Sequence, residues 1–169
     1  MDRDELQRTQ APLKERYRQD PEAALVTLVA DGSLSEGIAC SVQTGRSLAE
    51  AGLHPATGGD GSQLCSGDML LQALAACAGV TLRSVATSMG LDLRGGQVHV
   101  EGDLDFRGTL AVDKAMPVGF QKVRMSFELD SDEPAESLDT LLKLTARYCV
   151  VYQTLASSPD LEIGWSRTR

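Results

Sequence analysis

Two cysteines, Cys77 and Cys149, are the side chains in this sequence best suited to carry out a reaction. Each lies in a predicted amphipathic helix, Cys77 within the apolar run 69–80 and Cys149 near the end of a second helical pattern. If the helices pack side by side, a peroxide can oxidise one thiolate to a sulfenic acid, which the other thiol converts to a disulfide. A buried thiol is also an ordinary small apolar residue, so the sequence leaves a redox role and a packing role open.

A reactive thiolate needs polar or charged neighbours, and two candidates share the helix of Cys77. Thr81 lies one turn after Cys77 on the same face, where its hydroxyl can donate a hydrogen bond or pack against another helix. Asp68 lies earlier, on the opposite side of a straight helix. It can stabilise the helix N-terminus, and it reaches a thiol only through a bend or from a second subunit.

A cation beside the thiolate would have to come from an arginine. Arg83 falls well off the face of Cys77, and the side chain of Arg147 points away from that of Cys149. Arg46 precedes the central helix in a strand or loop that is free to fold over it. Arg46 is therefore a candidate activating or substrate-binding residue, although a solvated surface position is the better single explanation for each of the three arginines.

The composition argues against several other functions. The 169 residues carry a net charge of −8 and 4% aromatic side chains, which disfavours nucleic-acid binding. The four cysteines form no Cys-x-x-Cys pair and the two histidines form no His-x-x-x-His pair, so we expect no metal site.

The sequence contains no predicted membrane anchor. The run 69–80 is shorter than a helix that spans a bilayer and is expected to be a buried core segment. Residues 1–20 are charged and lack the apolar centre of a signal peptide, so we expect a cytoplasmic protein. Thiols are kept reduced there, and the four cysteines are not expected to form a disulfide scaffold.

The elements that would position these residues begin with a charged N-terminal extension, residues 1–20. Pro12 is expected to open a short helix over 13–19 within it. The elements predicted next are a hairpin of strands 25–29 and 37–42 around Asp31-Gly32, a third strand at 46–50 and a glycine-rich loop at 52–63.

The central helix, which contains Cys77, is predicted between an N-cap at Ser66 and a C-cap at Gly90. The remaining predicted elements are strands at 97–106 and 120–129, a second helix from Pro134 to Ser157 and a last strand at 161–165. The two long strands alternate apolar and polar residues, as in an antiparallel sheet with one solvated face. This order lacks β-α-β crossovers and predicts a single α+β domain over residues 1–169.

Residues 66–77 (SGDMLLQALAAC) resemble the central-helix motif of the OsmC/Ohr family, the osmotically inducible and organic hydroperoxide resistance proteins. Residues 146–150 (ARYCV) resemble the second cysteine motif of that family, and the resemblance covers roughly residues 24–169. It implies an OsmC-like α+β fold, an intertwined homodimer whose antiparallel sheet packs on two central helices. Two active sites would lie at the subunit interface.

The resemblance also implies a thiol-dependent peroxidase that reduces organic hydroperoxides without a metal or flavin cofactor. Cys77 would be the peroxidatic thiol and Cys149 the resolving one, and a dithiol such as a lipoylated protein would reduce the resulting disulfide. The chain departs from the family pattern at Asp68, where Glu is usual, and at Val150, where Pro is usual. The family's activating arginine near the first hairpin turn is also missing, and the candidate substitutes for it are Arg46 and, in the N-terminal helix, Arg16 and Arg18. The alternative expectation is a non-catalytic dimer of this fold that binds a small apolar or thiol-containing ligand at the subunit interface.

Overall fold

The structure is a computed structural model that describes residues 2–19, 32–34, 39–44 and 47–167. Its helices and strands, in chain order, are α1 (Arg3–Gln19), β1 (Gly32–Leu34), β2 (Ala39–Thr44), β3 (Ser47–Gly52), β4 (Leu64–Cys65), α2 (Ser66–Met89), β5 (Gly95–Asp103), α3 (Phe106–Thr109), β6 (Lys122–Asp130), α4 (Ala135–Tyr148) and α5 (Val150–Ala156). A short 3-10 helix, Pro55–Thr57, lies in the glycine-rich loop. The predicted mixture of helices and sheet is confirmed.

The described strands form two sheets. In the first, β1 pairs with β2 and β2 with β3 antiparallel, while the short β4 joins β3 in parallel. The second sheet is the antiparallel pair of β5 and β6, in register from Gly95 opposite Asp130 to Asp103 opposite Lys122. The antiparallel pairing of the two long strands is therefore confirmed.

Helix α1 is longer than the sequence predicts. It begins at Arg3 because Asp2 and Glu5 cap each other: the Glu5 N–H donates to the Asp2 carboxylate at 2.8 Å, and the Asp2 N–H donates to the Glu5 carboxylate at 3.1 Å. Pro12, expected to open the helix, lies inside it.

The first sheet partly matches the predicted strands. The second and third predicted strands occur as β2 and β3. The predicted strand at 25–29 and Asp31 of the predicted turn lie outside the described residues. Gly32, expected in that turn, instead belongs to β1.

Helix α2 ends as predicted at Gly90, whose left-handed backbone (φ 73°) suits glycine and whose N–H turns back to the carbonyls of the last helical turn. At its start, the N-cap position is Cys65 rather than the predicted Ser66, and the Cys65 side chain makes no capping hydrogen bond. The buried stripe of α2 recurs at every fourth residue and consists of Leu74, Ala78, Leu82 and Ala86.

The whole of α2 is longer than the apolar run at 69–80, so the argument that it is too short to span a bilayer does not apply to the complete helix. By length and composition alone, α2 is long and apolar enough to cross a membrane. The core helix of a soluble protein meets the same criteria. In this fold it packs against α4, α5 and β5.

Two clusters of buried side chains surround α2. One joins Leu82 and Ala86 to Leu93 and to Leu141 of α4. The other joins Leu74 and Ala78 to Cys149, and the side chains packed against it include Cys77, Val98, Val100, Val123, Met125, Phe127 and Val151. The apolar face predicted for β5 and β6 is thus directed at α2, and the second cluster holds both candidate cysteines.

Strand β5 ends at Asp103, three residues earlier than predicted. Phe106, expected on its apolar face, instead begins α3. The reason is local, because the Asp105 side chain accepts the Arg107 N–H at 3.0 Å and so caps a helical turn.

The C-terminal part of the chain departs from prediction in two ways. The helix predicted to continue to Ser157 is interrupted at Cys149, between α4 and α5. Residues 161–165 form no strand, and their large apolar side chains, Leu161, Ile163 and Trp165, are almost fully exposed. Alternation alone does not make a strand when no partner strand within the described part of the chain pairs with it.

Candidate functional site

Cys77 packs against the buried cluster that contains Cys149, and each thiol shifts the pKa of the other. The middle of α2 presents the first, and the junction of α4 and α5 presents the second. Cys149 is completely buried, whereas Cys77 is partly exposed, and both are free thiols. The packing of α2 against α4 and α5 therefore brings together two sulfurs that are far apart in the sequence.

The backbone conformation at Cys149 determines how the end of α4 and the start of α5 are placed beside Cys77. Cys149 has an extended conformation (φ −73°, ψ 110°), which ends α4 and begins α5. Its N–H still donates to the Thr145 carbonyl at 2.9 Å. The Ala146 carbonyl, which loses its helical partner at the interruption, accepts the side-chain Nε2 of Gln153 at 2.8 Å instead.

The pKa of Cys77 lies below the ordinary value of a thiol. Burial raises this pKa, but hydrogen bonds to the sulfur outweigh burial. The donors are the Val151 N–H, the Cys149 thiol, the Val150 N–H and the Thr81 hydroxyl. All four donors are neutral groups, so among the described residues it is hydrogen bonding that favours the thiolate.

The pKa of Cys149 shifts in the opposite direction. Burial raises it most, and the Cys77 sulfur raises it further as hydrogen-bond partner and as a negative charge. The N–H groups of Tyr152 and Val151 lower it without overcoming these effects. Of the two thiols, Cys77 therefore ionises first, while Cys149 stays protonated beside it.

This arrangement matches the requirements of disulfide chemistry. A thiolate is the nucleophile towards peroxides and disulfides, and a thiol in contact with it can form a bond once the first sulfur is oxidised. Because Cys77 is partly exposed, a reagent from solution can reach it before it reaches Cys149.

The chain that carries these thiols matches the family model described as OsmC-like protein over residues 59–164. It belongs to the OsmC-like protein family. The matched range contains both cysteine motifs, so the resemblance inferred from those motifs is confirmed. No curated protein sequence matches this OsmC-like chain.

Several solved structures share its fold. The OsmC like protein from Mycoplasma pneumoniae is 14% identical, with a TM-score of 0.67 over 79% of this chain and 89% of that chain. The organic hydroperoxide resistance protein OsmC from Legionella pneumophila is 18% identical, with a TM-score of 0.62 over 79% and 92%. An organic hydroperoxide resistance protein from Elizabethkingia anophelis, solved with thiocyanate bound, is 12% identical, with a TM-score of 0.64 over 80% and 91%.

Two polar candidates from the sequence occupy different positions in this OsmC-like protein. Thr81 lies beside Cys77 and donates to its sulfur. Asp68 is exposed in the first turn of α2, more than two helical turns before Cys77, which accords with its placement on the opposite side of the helix.

The described arginines are engaged away from the thiols. Arg83 donates to the backbone carbonyls of Leu93 and Arg94, the second at 3.3 Å. The Arg147 guanidinium lies over the ring of Tyr148, 5.7 Å from its centroid. Arg46, the candidate cation, lies outside the described residues.

The sequence interpretation missed the backbone amides of Val150 and Val151 and the side chain of Gln153. One signal was present, because two consecutive β-branched residues after Cys149 lower helix propensity at that point. The sequence nevertheless predicted one continuous helix, because the apolar spacing of a helix continues across the interruption.

A cavity of about 370 Å³ lies beside this cluster. Leu74 and Met125, which pack around Cys149, form part of its wall, and Tyr152 and Leu155 of α5 form another part. Within the described ranges, no three or more histidine, cysteine or acidic side chains are arranged to hold a metal ion.

Proposed function

We propose that this OsmC-like protein is a thiol-dependent peroxidase that reduces organic hydroperoxides. The observation that carries the proposal is the contact between Cys77, a partly exposed thiol of lowered pKa, and Cys149, a buried thiol of raised pKa. The first has the properties of a nucleophile and the second those of a resolving thiol. Family membership and the names of two structural neighbours support the same chemistry.

The reaction would proceed in two steps on the protein. In the first, the Cys77 thiolate attacks the terminal oxygen of the hydroperoxide. An S–O bond forms, the O–O bond breaks and the leaving alkoxide takes up a proton to become an alcohol. In the second, the Cys149 sulfur attacks the Cys77 sulfenic acid, and its proton leaves with the hydroxide as water.

A dithiol reductant, such as a lipoylated protein, would complete the cycle. Its first thiolate attacks the Cys77–Cys149 disulfide, and its second thiol releases the mixed disulfide, so the reductant leaves oxidised and both cysteines are thiols again. Apolar surface beside the nucleophile fits an organic substrate, since Val80 and Val150 are both largely exposed.

The test is a count of free thiols after reaction with cumene hydroperoxide. The reduced wild type should lose two thiols per chain at about one equivalent of peroxide. Cys77→Ser should lose none at the same dose, while Cys65→Ser should react like the wild type because Cys65 is not in contact with the pair. Equal thiol loss in wild type and Cys77→Ser would overturn the peroxidase proposal.

We also propose that the working unit is a homodimer. Helix α2 leaves Val80 exposed, and the adjoining α4–α5 junction leaves Tyr148 and Val150 exposed. At the C-terminus, Leu161 and Trp165 are exposed as well. Exposed apolar surface of this extent favours association, and a second copy would cover it in a symmetric dimer.

A ligand-binding role without turnover is the second candidate, and the cavity beside Leu74 and Met125 favours it. Its lining is mostly apolar and aromatic, with Gln121 and Lys122 as the polar members, and suits a small molecule that is largely apolar. Under this alternative, an apolar probe such as 1-anilinonaphthalene-8-sulfonate binds the reduced protein, while cumene hydroperoxide oxidises no thiols.

A further inference from the structure

We propose that the backbone N–H groups of Val150 and Val151 bind the Cys77 thiolate, and that Gln153 is a positioning residue that frees them to do so. The inference rests on the proposed function, because it names the groups that activate the proposed peroxidatic thiol. It can nevertheless be tested without a peroxide, since an N–H group stabilises a sulfur anion whether or not substrate is present.

The hydrogen bonds at the α4–α5 junction are the first support. In an uninterrupted helix the Val150 N–H would donate to the Ala146 carbonyl. Here that carbonyl accepts Nε2 of Gln153 at 2.8 Å. Within the described part of the chain, no backbone carbonyl accepts the N–H of Val150 or Val151. The interruption at Cys149 therefore leaves two amide donors without a helical partner.

The position of Cys77 is the second support. Its side chain packs into the same cluster as Cys149 and Val151. The N–H groups of Val150 and Val151 both lower the pKa of Cys77, and the Val151 N–H also acts on Cys149. A hydrogen bond to an ionised acceptor is stronger than one to a neutral acceptor. Two N–H groups fixed by the backbone therefore favour the thiolate over the thiol.

Among the described residues, the other groups around Cys77 supply no competing charge. The junction contributes the Cys149 thiol, which is titratable, and α2 contributes the neutral hydroxyl of Thr81. The sheet contributes apolar side chains to this cluster, namely Val98, Val100, Val123, Met125 and Phe127. The ionisation of Cys77 should therefore respond directly to the loss of an amide donor.

Val150→Pro removes one donor and suits the local backbone. Val150 is the first residue of α5, a position that proline accepts, and Cys149 before it is already extended, as a residue before proline prefers. The Val150 side chain is 70% exposed, so its replacement disturbs little packing. Ala135→Pro is the matched control, because it places proline at the first residue of α4, away from both thiols.

The measurement is the rate of Cys77 alkylation by iodoacetamide as a function of pH, followed by mass spectrometry in a Cys65→Ser background. We expect Val150→Pro to move the midpoint to higher pH and to lower the rate at pH 7 roughly three- to tenfold. Ala135→Pro should keep the wild-type profile. A wild-type profile in a folded Val150→Pro protein, as judged by circular dichroism, overturns the amide role.

Gln153→Met tests the positioning role and replaces the proline variant if that protein does not fold. Without the Gln153 donor, the Val150 N–H can return to the Ala146 carbonyl, so the Cys77 midpoint should again move to higher pH. An unchanged midpoint overturns the role of Gln153. If the midpoints shift but cumene hydroperoxide oxidises no wild-type thiols, the amide inference stands and the proposed function fails.

Discussion

The Gly102 Cα of β5 lies directly against the ring of Phe120, so that a Cβ at position 102 would approach two ring carbons to 2.6 Å. Phe120 in turn forms part of the wall of the cavity beside the cysteine cluster. The absence of a side chain at position 102 thus sets how closely the strand pair and the cavity wall approach each other.

Gly102→Ala should destabilise the protein by about 1–3 kcal/mol, because the added methyl forces the Phe120 ring to move within a packed region. Urea unfolding followed by circular dichroism would measure the change in the free energy of unfolding. Gly119→Ala is the control, since a Cβ there meets no atom within 4 Å. Equal stability of the two variants would contradict the packing argument.

Cys149→Ser should trap the oxidised form of Cys77. Without the second thiol, the sulfenic acid has no partner for the disulfide, and it should accumulate after one equivalent of cumene hydroperoxide. Labelling with dimedone and mass spectrometry would detect one adduct per chain, at Cys77. Labelling of the wild type to the same extent would show that Cys149 does not resolve the intermediate.

The two thiols should differ in their pH dependence. The lowered pKa of Cys77 means that it is deprotonated, and alkylated, at pH values where an ordinary thiol is still protonated. Burial, with the Cys77 sulfur beside it, raises the pKa of Cys149, so its alkylation should begin at higher pH.

Cys77→Ala should move the alkylation profile of Cys149 to lower pH, because it removes the anion and the hydrogen-bond partner that raise the pKa of Cys149. Burial remains in this variant, so the profile should stay above that of an ordinary thiol. The comparison is with Cys65→Ser, which should leave Cys149 unchanged. A Cys149 profile that is the same with and without Cys77 would argue against the contact between the sulfurs.

Val80→Lys should weaken formation of the proposed homodimer by about tenfold or more, because it places a charge in the exposed apolar face of α2. Sedimentation velocity over a concentration series would measure this. Val112→Lys is a matched control, since Val112 is 73% exposed like Val80 but lies in the loop after α3. A wild type that is monomeric at micromolar concentration would contradict the proposal of a homodimer.

Local sequence signals predicted the central helix well. The apolar spacing of α2 and the glycine at its end are properties of neighbouring residues, and both appear in the structure. The alternation of β5 and β6 likewise depends on adjacent residues, and their antiparallel pairing was predicted from it. Family membership also followed from two short motifs around Cys77 and Cys149.

Other features depended on hydrogen bonds that the pattern of apolar and polar residues does not reveal. Because Asp2 and Glu5 cap each other, α1 begins earlier than the start predicted from Pro12. Residues 161–165 have the alternation of a strand, but a strand needs a partner for its backbone hydrogen bonds, and sequence alone does not say whether one is present.

The sequence by itself determined the cysteine-bearing helix and the reactive residue types, because helix periodicity and side-chain chemistry are local properties. Tertiary structure alone decided that Cys77 packs against Cys149, and that the helix is interrupted at Cys149, where the N–H groups of Val150 and Val151 lower the pKa of a thiol in α2. Contacts between distant segments arise from packing, and the ionisation of a thiol depends on those contacts rather than on its neighbours along the chain.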